Sequence, residues 1–181
     1  LFLERREAMS IGNVQAISGV SAGVENVVMT VYPSIAATGR GRWLGRLYDA
    51  IPVRICGVKL SNLLFTLPTS PLALALYAET KVVGSRYVLT NRRVTINAAL
   101  TPRQVLEVAL PAIDEIEVEQ LDGQQFFHAA DLVLLDSRGT VLGRLEAVPR
   151  AEVFRQTILE ARDALTQTEA ALATISARQT A

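Results

Sequence analysis

The chain has 181 residues, half of them hydrophobic, with 18 basic and 18 acidic side chains, one cysteine and a mean hydropathy of +0.27. That length holds one domain of ordinary size with an appendage. Zero net charge excludes a global field drawing the chain to nucleic acid, and a lone Cys56 excludes an internal disulfide and a disulfide-built secreted fold.

Residues 1–24 open on "LFLERREAMSIG", where the charges follow a very short apolar run, so the stretch does not read as a signal peptide. A start at Leu1 rather than Met agrees with a fragment or a processed form. The rest of the segment is rich in small residues without a sustained period and is expected to form an N-terminal arm. Residues 25–34, "ENVVMTVYPS", are dense in β-branched side chains and close on Pro33, which predicts a first strand. Trp43, Leu44, Leu47 and Ile51 then recur at helix-like intervals with arginines between them, predicting a short amphipathic helix. A tryptophan beside arginines is also what an interfacial helix presents to lipid headgroups. Between residues 40 and 59, Arg40, Arg42, Arg46, Arg54 and Lys59 stand against a single Asp49.

Residues 60–78, "LSNLLFTLPTSPLALALYA", carry no charge over nineteen positions. A straight helix of roughly 20 such residues crosses a bilayer. Pro68 and Pro71 each remove a backbone donor and disfavour helix before them, so the expectation is a proline-broken helical hairpin. Both flanks are basic, with Arg46 and Arg54 before and Lys81 and Arg86 after, which places both ends on the cytoplasmic side of the cell membrane. Residues 35–83 are thus expected to be a membrane-associated insertion, re-entrant or interfacial rather than fully spanning. Its lipid contacts would be Leu60, Leu63, Leu64, Phe65, Leu67, Leu72, Leu74 and Leu76, alongside Trp43, Arg40, Arg42 and Arg46. A buried helix pair in a soluble core is the competing reading.

From Arg86 the texture turns to β. "RYVLT" and "RVTINAAL" flank "TNR", whose Asn91 suits a tight turn. "QVLEVAL" and "IDEIEVEQ" follow, and Asp122–Gly123 predicts a hairpin turn before "ADLVLLDS". "SRG" then turns the chain into "TVLGRLEAV". Six or seven short strands at this spacing predict a small sandwich or open barrel. After Pro149, a stripe of Phe154, Ile158, Ala161, Leu165, Thr168, Leu172 and Ile175, spaced 4-3-4-3-4-3, predicts a long helix. Residues 84–165 would be the β domain with its capping helix. Residues 166–181 would be an extension that either frays into solvent or meets a partner through Leu165, Leu172 and Ile175.

Candidate chemistry is sparse. His128 is the one histidine, at the edge of a predicted strand, and Cys56 has no histidine nearby in sequence, so neither a nucleophile pair nor zinc is supported. "GRGRWLG" lacks the Lys-Ser/Thr pair of a phosphate loop. The acids from Asp114 to Asp122 fall on a predicted strand, where alternate carboxylates face solvent rather than converge on calcium. No catalytic, cofactor-binding or metal-binding residue is expected, and no basic face interleaved with aromatics points to nucleic acid.

"RYVLTNRRVTI", residues 86–96, following an apolar segment that itself follows Glu25, Tyr32, Pro33 and Ser34, resembles the bacterial pleckstrin-homology-like (PH-like) family over about residues 25–165. The resemblance implies an α+β, mainly β fold: a curved antiparallel sheet or open barrel closed by the long C-terminal helix. It implies binding or assembly work at the cytoplasmic membrane face, without enzymatic activity or cofactor. Tyr87, Thr90, Asn91 and Arg93 would be structural, with Arg93 pairing to a carboxylate. The expected function is a membrane-associated scaffold, accessory or assembly subunit of a larger membrane protein complex, with membrane lipid and protein as partners. The alternatives are a lipid-headgroup module using Arg40, Arg42, Arg46 and Arg54, a self-assembling structural protein, and an enzyme with a concave site of perturbed ionisable groups.

Overall fold

The computed structural model describes residues 24–55, 57–100 and 104–179. The expected N-terminal arm, up to residue 23, and Cys56 lie outside them. In chain order the elements are β1 (Val27–Val31), α1 (Gly39–Asp49), a ribbon of β2 (Arg54–Ile55) and β3 (Val58–Lys59), and α2 (Leu60–Val82). There follow β4 (Ser85–Thr90), β5 (Arg93–Ala98), β6 (Gln104–Ala109), β7 (Glu115–Glu119), β8 (Ala129–Leu135), β9 (Val141–Pro149) and α3 (Ala151–Gln179). The strands form two antiparallel sheets, β1-β4-β5-β6 and β7-β8-β9, so the class is α+β. Since β1 pairs directly with β4, everything from α1 to α2 is an insertion between two neighbouring strands.

The turn chemistry sets the first sheet. Thr90 Oγ1 accepts from the backbone N–H groups of Arg92 and Arg93, at 3.2 and 3.0 Å, which reverses the chain into β5. Asn91 then ties the turn to the start of β1: its Oδ1 accepts from Asn26 N and its Nδ2 donates to Val24 O, both at 3.0 Å. The register Tyr87↔Ile96 and Leu89↔Val94 puts all four side chains on one face, as the two-residue period requires. They meet Val108 of the same sheet, Ile116, Leu132, Leu134, Leu145 and Val148 of the second, and Phe154 and Ile158 of α3. The Tyr87 hydroxyl staples the sheets, donating to Glu146 O and accepting from Glu146 N at 2.9 Å each. Burial pushes that phenol well above its ordinary pKa. β9 passes so close to β6 that a Cβ at Gly143 would lie 2.4 Å from Leu106 Cδ2.

α3 uses the first half of its apolar stripe for this core. Phe154 and Ile158 are buried, and Ala161 and Leu165 pack at its margin. Arg155 Nε donates to Ile116 O and Arg162 Nη1 to Asp114 O, both at 2.9 Å, fastening the helix along β7. Leu165, expected as a partner contact, is therefore partly taken up by the domain itself, while Leu172 and Ile175 remain exposed.

Two expectations are corrected. The proline-broken hairpin is one continuous 23-residue helix, α2, with Pro68 and Pro71 inside it. The missing N–H of Pro71 frees the Leu67 carbonyl, and the Ser70 hydroxyl donates to that oxygen at 2.9 Å. The neighbouring Thr69 Oγ1 donates to Phe65 O at 2.6 Å. The Ser70 hydroxyl thus supplies part of what Pro71 removes, the same compensation that lets prolines sit in apolar helices. Asp122–Gly123 does not form a two-residue hairpin either. Gly123 has φ of +86°, but it belongs to a longer loop that continues through a 3-10 turn at Gln125–Phe127 before β8 starts. Tertiary contacts set that loop: Gln124 is fully buried, and a Cβ at Gly123 would lie 2.1 Å from Arg42 O of α1.

Candidate functional site

The insertion is built on close backbone approach. Thr38 caps α1, its Oγ1 accepting from Gly41 N at 3.0 Å. A Cβ at Gly41 would stand 1.8 Å from Ile35 O, and one at Gly45 would stand 1.9 Å from Gly123 O. Gly41 and Gly45 of "GRGRWLG" are therefore packing residues, which let α1 sink Leu44 and Tyr48 beneath the surface. α2 runs antiparallel to α1. At one end the Ser61 hydroxyl donates to Tyr48 O; further along, the Tyr48 and Thr69 hydroxyls lie 2.6 Å apart; at the other end Leu76 joins Ile35 and Leu44. Phe126 and Phe127 close the cluster, with ring centroids 4.7 Å (Tyr48–Phe126) and 5.0 Å (Phe126–Phe127) apart.

The loop carrying those phenylalanines is held by a buried carboxylate. Asp131 accepts from the Gln124 amide and from Ala147 N, at 2.8 Å for the latter, and Arg144 Nε donates to it at 3.0 Å. Gln124 Oε1 in turn accepts from Leu121 N at 2.9 Å. The Asp131 carboxylate, with help from Glu119, holds the Arg144 guanidinium above its usual pKa. Sequence reasoning missed this hub. Its signal was an aspartate inside the apolar run "ADLVLL", which in a buried strand demands partners.

The face of α2 that meets the protein is Ser61, Phe65, Thr69, Ala73, Leu76 and Thr80, buried or half-buried and spaced 4-4-4-3-4. The opposite face carries Leu63, Leu64, Leu67, Pro71, Leu74 and Ala78, all exposed and apolar, with Ser70 the polar residue at its edge. Leu67 is 83% exposed and Leu74 68%. A surface helix in water carries polar side chains there. Among the described residues α2 is the one helix apolar and long enough to cross a membrane, with 11% of its most apolar window buried. At a rise of about 1.5 Å per residue it is about 34 Å long. Lys59, paired with Asp49, marks its start; near its end Lys81 Nζ lies 4.0 Å from the Tyr32 ring centroid and 5.6 Å from that of Tyr77.

Of the side chains expected to contact lipid, Leu63, Leu64, Leu67, Leu72, Leu74, Trp43, Arg40 and Arg46 are exposed. Leu60, Phe65 and Arg42 are half-buried. Leu76 is corrected: it is 2% exposed, enclosed between α1 and α2. Among the described residues no carboxylate pairs with Arg40, Arg42, Arg46 or Arg54. Arg93 is paired, to Glu25 (Nε to Oε1, 2.6 Å) and to Glu107. Chiefly through the Arg93 guanidinium, the Glu25 pKa is lowered to about 2.

Two open grooves adjoin His128. One, of about 580 Å³, runs between β7 and the start of α3; the other, of about 470 Å³, lies at the start of α2. No serine, threonine or cysteine lines either among the described residues, nor do three His, Cys, Asp or Glu side chains cluster to hold a metal there. Compared with known proteins, the chain matches no family model, no curated protein and no solved structure.

Proposed function

We propose that the protein is a non-enzymatic, membrane-associated scaffold or accessory subunit of the PH-like kind. The α1–α2 insertion holds it at the cytoplasmic face of the cell membrane, and the β domain and α3 are offered to a protein partner. The carrying observation is the outward face of α2, apolar from Leu63 to Ala78 and uncovered by the rest of the chain. Fully burying a leucine is worth about 1.5–3 kcal/mol. Leu63, Leu64, Leu67, Leu72 and Leu74, each about half to four-fifths exposed, together leave about 5–10 kcal/mol of burial unrealised. The order of strands, four in one sheet and three in the next with a helix after them, supports the PH-like assignment.

The antiparallel packing of α1 on α2 favours a helix lying in the membrane surface over one that crosses it. Insertion end-on would carry Arg40, Arg42 and Arg46 of α1 into hydrocarbon, at about 2.5–3.5 kcal/mol for each arginine near the bilayer centre. Lying flat sinks the leucines about 5–10 Å and leaves the arginines among headgroups. Fractionation of the tagged protein tests this, with washes in high salt, carbonate and then detergent. Release at carbonate or detergent supports an apolar hold; release by salt alone supports an arginine-held peripheral module; a fully soluble protein overturns the membrane reading.

A second reading, self-assembly, is favoured by one observation: α3 runs on past Leu165 with Leu172 and Ile175 exposed. Leu172→Lys with Ile175→Lys should then convert a sedimenting oligomer into a monomer. Equal sedimentation of both proteins would dismiss that reading.

A further inference from the structure

The outward face of α2 does not stop at Ala78. Val82 is exposed one helical turn further along the same stripe, and Val83, which caps the helix, is 66% exposed. The chain then enters β4 through Gly84 alone, and this junction is tightly packed: a Cβ at Gly84 would stand 2.1 Å from Thr80 O. Ala99 N donates to Gly84 O at 2.8 Å, which continues the Ser85↔Ala98 register by one step and brings Leu100, 65% exposed, beside Val83. Lys81 adds a further tie, its ammonium standing over the ring of Tyr32, the residue after β1. The end of the first sheet is thus fastened to the end of α2. A surface that receives the helix along its length receives Val83 and Leu100 with it.

The two ends of this sheet differ in kind. The far end presents Asn26 with Asn91 and Glu25 with Arg93, bonded in pairs. The near end presents Val82, Val83 and Leu100, with the Tyr32 and Tyr77 rings about Lys81 beside them. Exposed aliphatic side chains next to tyrosine and lysine suit a bilayer boundary, where the rings sit at headgroup level. Among the described residues the exposed charges at this end are Glu79, Lys81 and Arg86, and the two basic ones can lay their stems along apolar surface with the charge among headgroups. We propose that this end of the first sheet is a second membrane contact, Val82, Val83 and Leu100 entering the acyl boundary beside α2. The proposal rests on reading α2 as a membrane face. It extends that face to the β domain, which then stands on the bilayer at its insertion end with the Thr90–Arg93 turn held off the surface.

The test uses the full chain with phosphatidylcholine vesicles, whose lack of net charge keeps an added carboxylate from being repelled at long range. Val83→Glu and Leu100→Glu should each weaken binding roughly 5- to 30-fold, the scale of losing a valine or leucine that is two-thirds exposed. Val27→Glu, at the far end of the sheet and 63% exposed, should bind as wild type does. Leu100→Trp gives a readout that adds no charge: with vesicles of brominated phosphatidylcholine it should lose more tryptophan emission than wild type, which carries Trp43 alone. Val83→Glu and Leu100→Glu binding as tightly as Val27→Glu, or a tryptophan at 100 that brominated lipid leaves bright, overturns the proposal while leaving the membrane reading standing. A wild-type protein that binds no vesicle overturns both.

Discussion

α2 and α3, at 23 and 29 residues the two longest helices described, solve the burial problem differently. α3 puts Phe154 and Ile158 under the sheets and turns Glu152, Gln156, Glu160 and Asp163 to water. α2 puts Leu76 and Phe65 against α1 and turns Leu63, Leu67 and Leu74 to the outside. As far as Leu165 the first pattern is largely complete in an isolated chain, because its apolar stripe is already covered by the sheets. The second is complete only when something apolar covers the far side. Two helices of one protein, folded under the same conditions, thus separate what stabilises the fold from what the fold presents.

The largest effect should come from charging the uncovered face. Leu67→Glu with Leu74→Glu removes two leucine burials at about 1.5–3 kcal/mol each, so vesicle affinity should drop by two to four decades. Both side chains are already exposed, so the melting temperature should move by only a degree or two. Flotation with vesicles and a thermal melt read the two quantities separately. A double variant that melts far lower would mean that this face is covered within the protein itself, and α2 would then resemble α3.

Next in size is the reverse experiment on α3. Phe154→Ala empties a fully buried ring site at the junction of both sheets and should destabilise by about 3–5 kcal/mol. Urea unfolding measures this as a lower midpoint with an unchanged slope. At temperatures where the variant is still folded, its vesicle binding should match that of wild type, since α2 packs on α1 and not on α3. Loss of binding by the folded variant would show the two regions to be coupled.

Much of this division could be read from the residues alone, and the failures share one cause. The β4–β5 hairpin followed from Asn91 between two alternating runs, and the first half of α3 from Phe154 and Ile158 at helical spacing, because in both cases local chemistry and burial agree. At Pro68 and Pro71 the local rule says break, yet the Ser70 hydroxyl on Leu67 O and the packing of Thr69 on Tyr48 of α1 support one continuous helix. At Asp122–Gly123 the local rule says tight turn, yet Asp131 and Gln124 pull the segment into a longer loop. The burial of Leu76 is not legible in the sequence, because a helix apolar all round gives periodicity nothing to distinguish its faces. Only the position of Tyr48 and Leu44 on a neighbouring helix decides which leucines are core.

The smallest effect concerns a clamp at the end of the first sheet away from the insertion, which leaves β1 after Val31 and re-enters at Ser85. Glu25, just before β1, bonds Arg93 of β5, which also holds Glu107 of β6, so one guanidinium ties three strands across the sheet. The Glu25 pKa is depressed from 4.5 to about 2, mainly by its bond to Arg93 and also by the Thr90 hydroxyl. A depressed folded-state pKa means that the carboxylate stabilises the native state fully above about 4.5, and that this contribution is lost as pH falls from there toward 2. Glu25→Gln should therefore melt slightly below wild type at pH 7 and lose less of its stability between pH 7 and pH 3. Glu107, lowered by the same guanidinium, keeps some acid dependence in the variant. The outward face of α2 has no titratable group from Leu63 to Ala78 except Tyr77 at its flank, so acid should weaken this clamp without altering the apolar surface. Melting curves at pH 7 and pH 3 for both proteins check the sign. A variant with the same acid slope as wild type would assign the slope to other carboxylates and leave the Glu25–Arg93 pair a geometric tie.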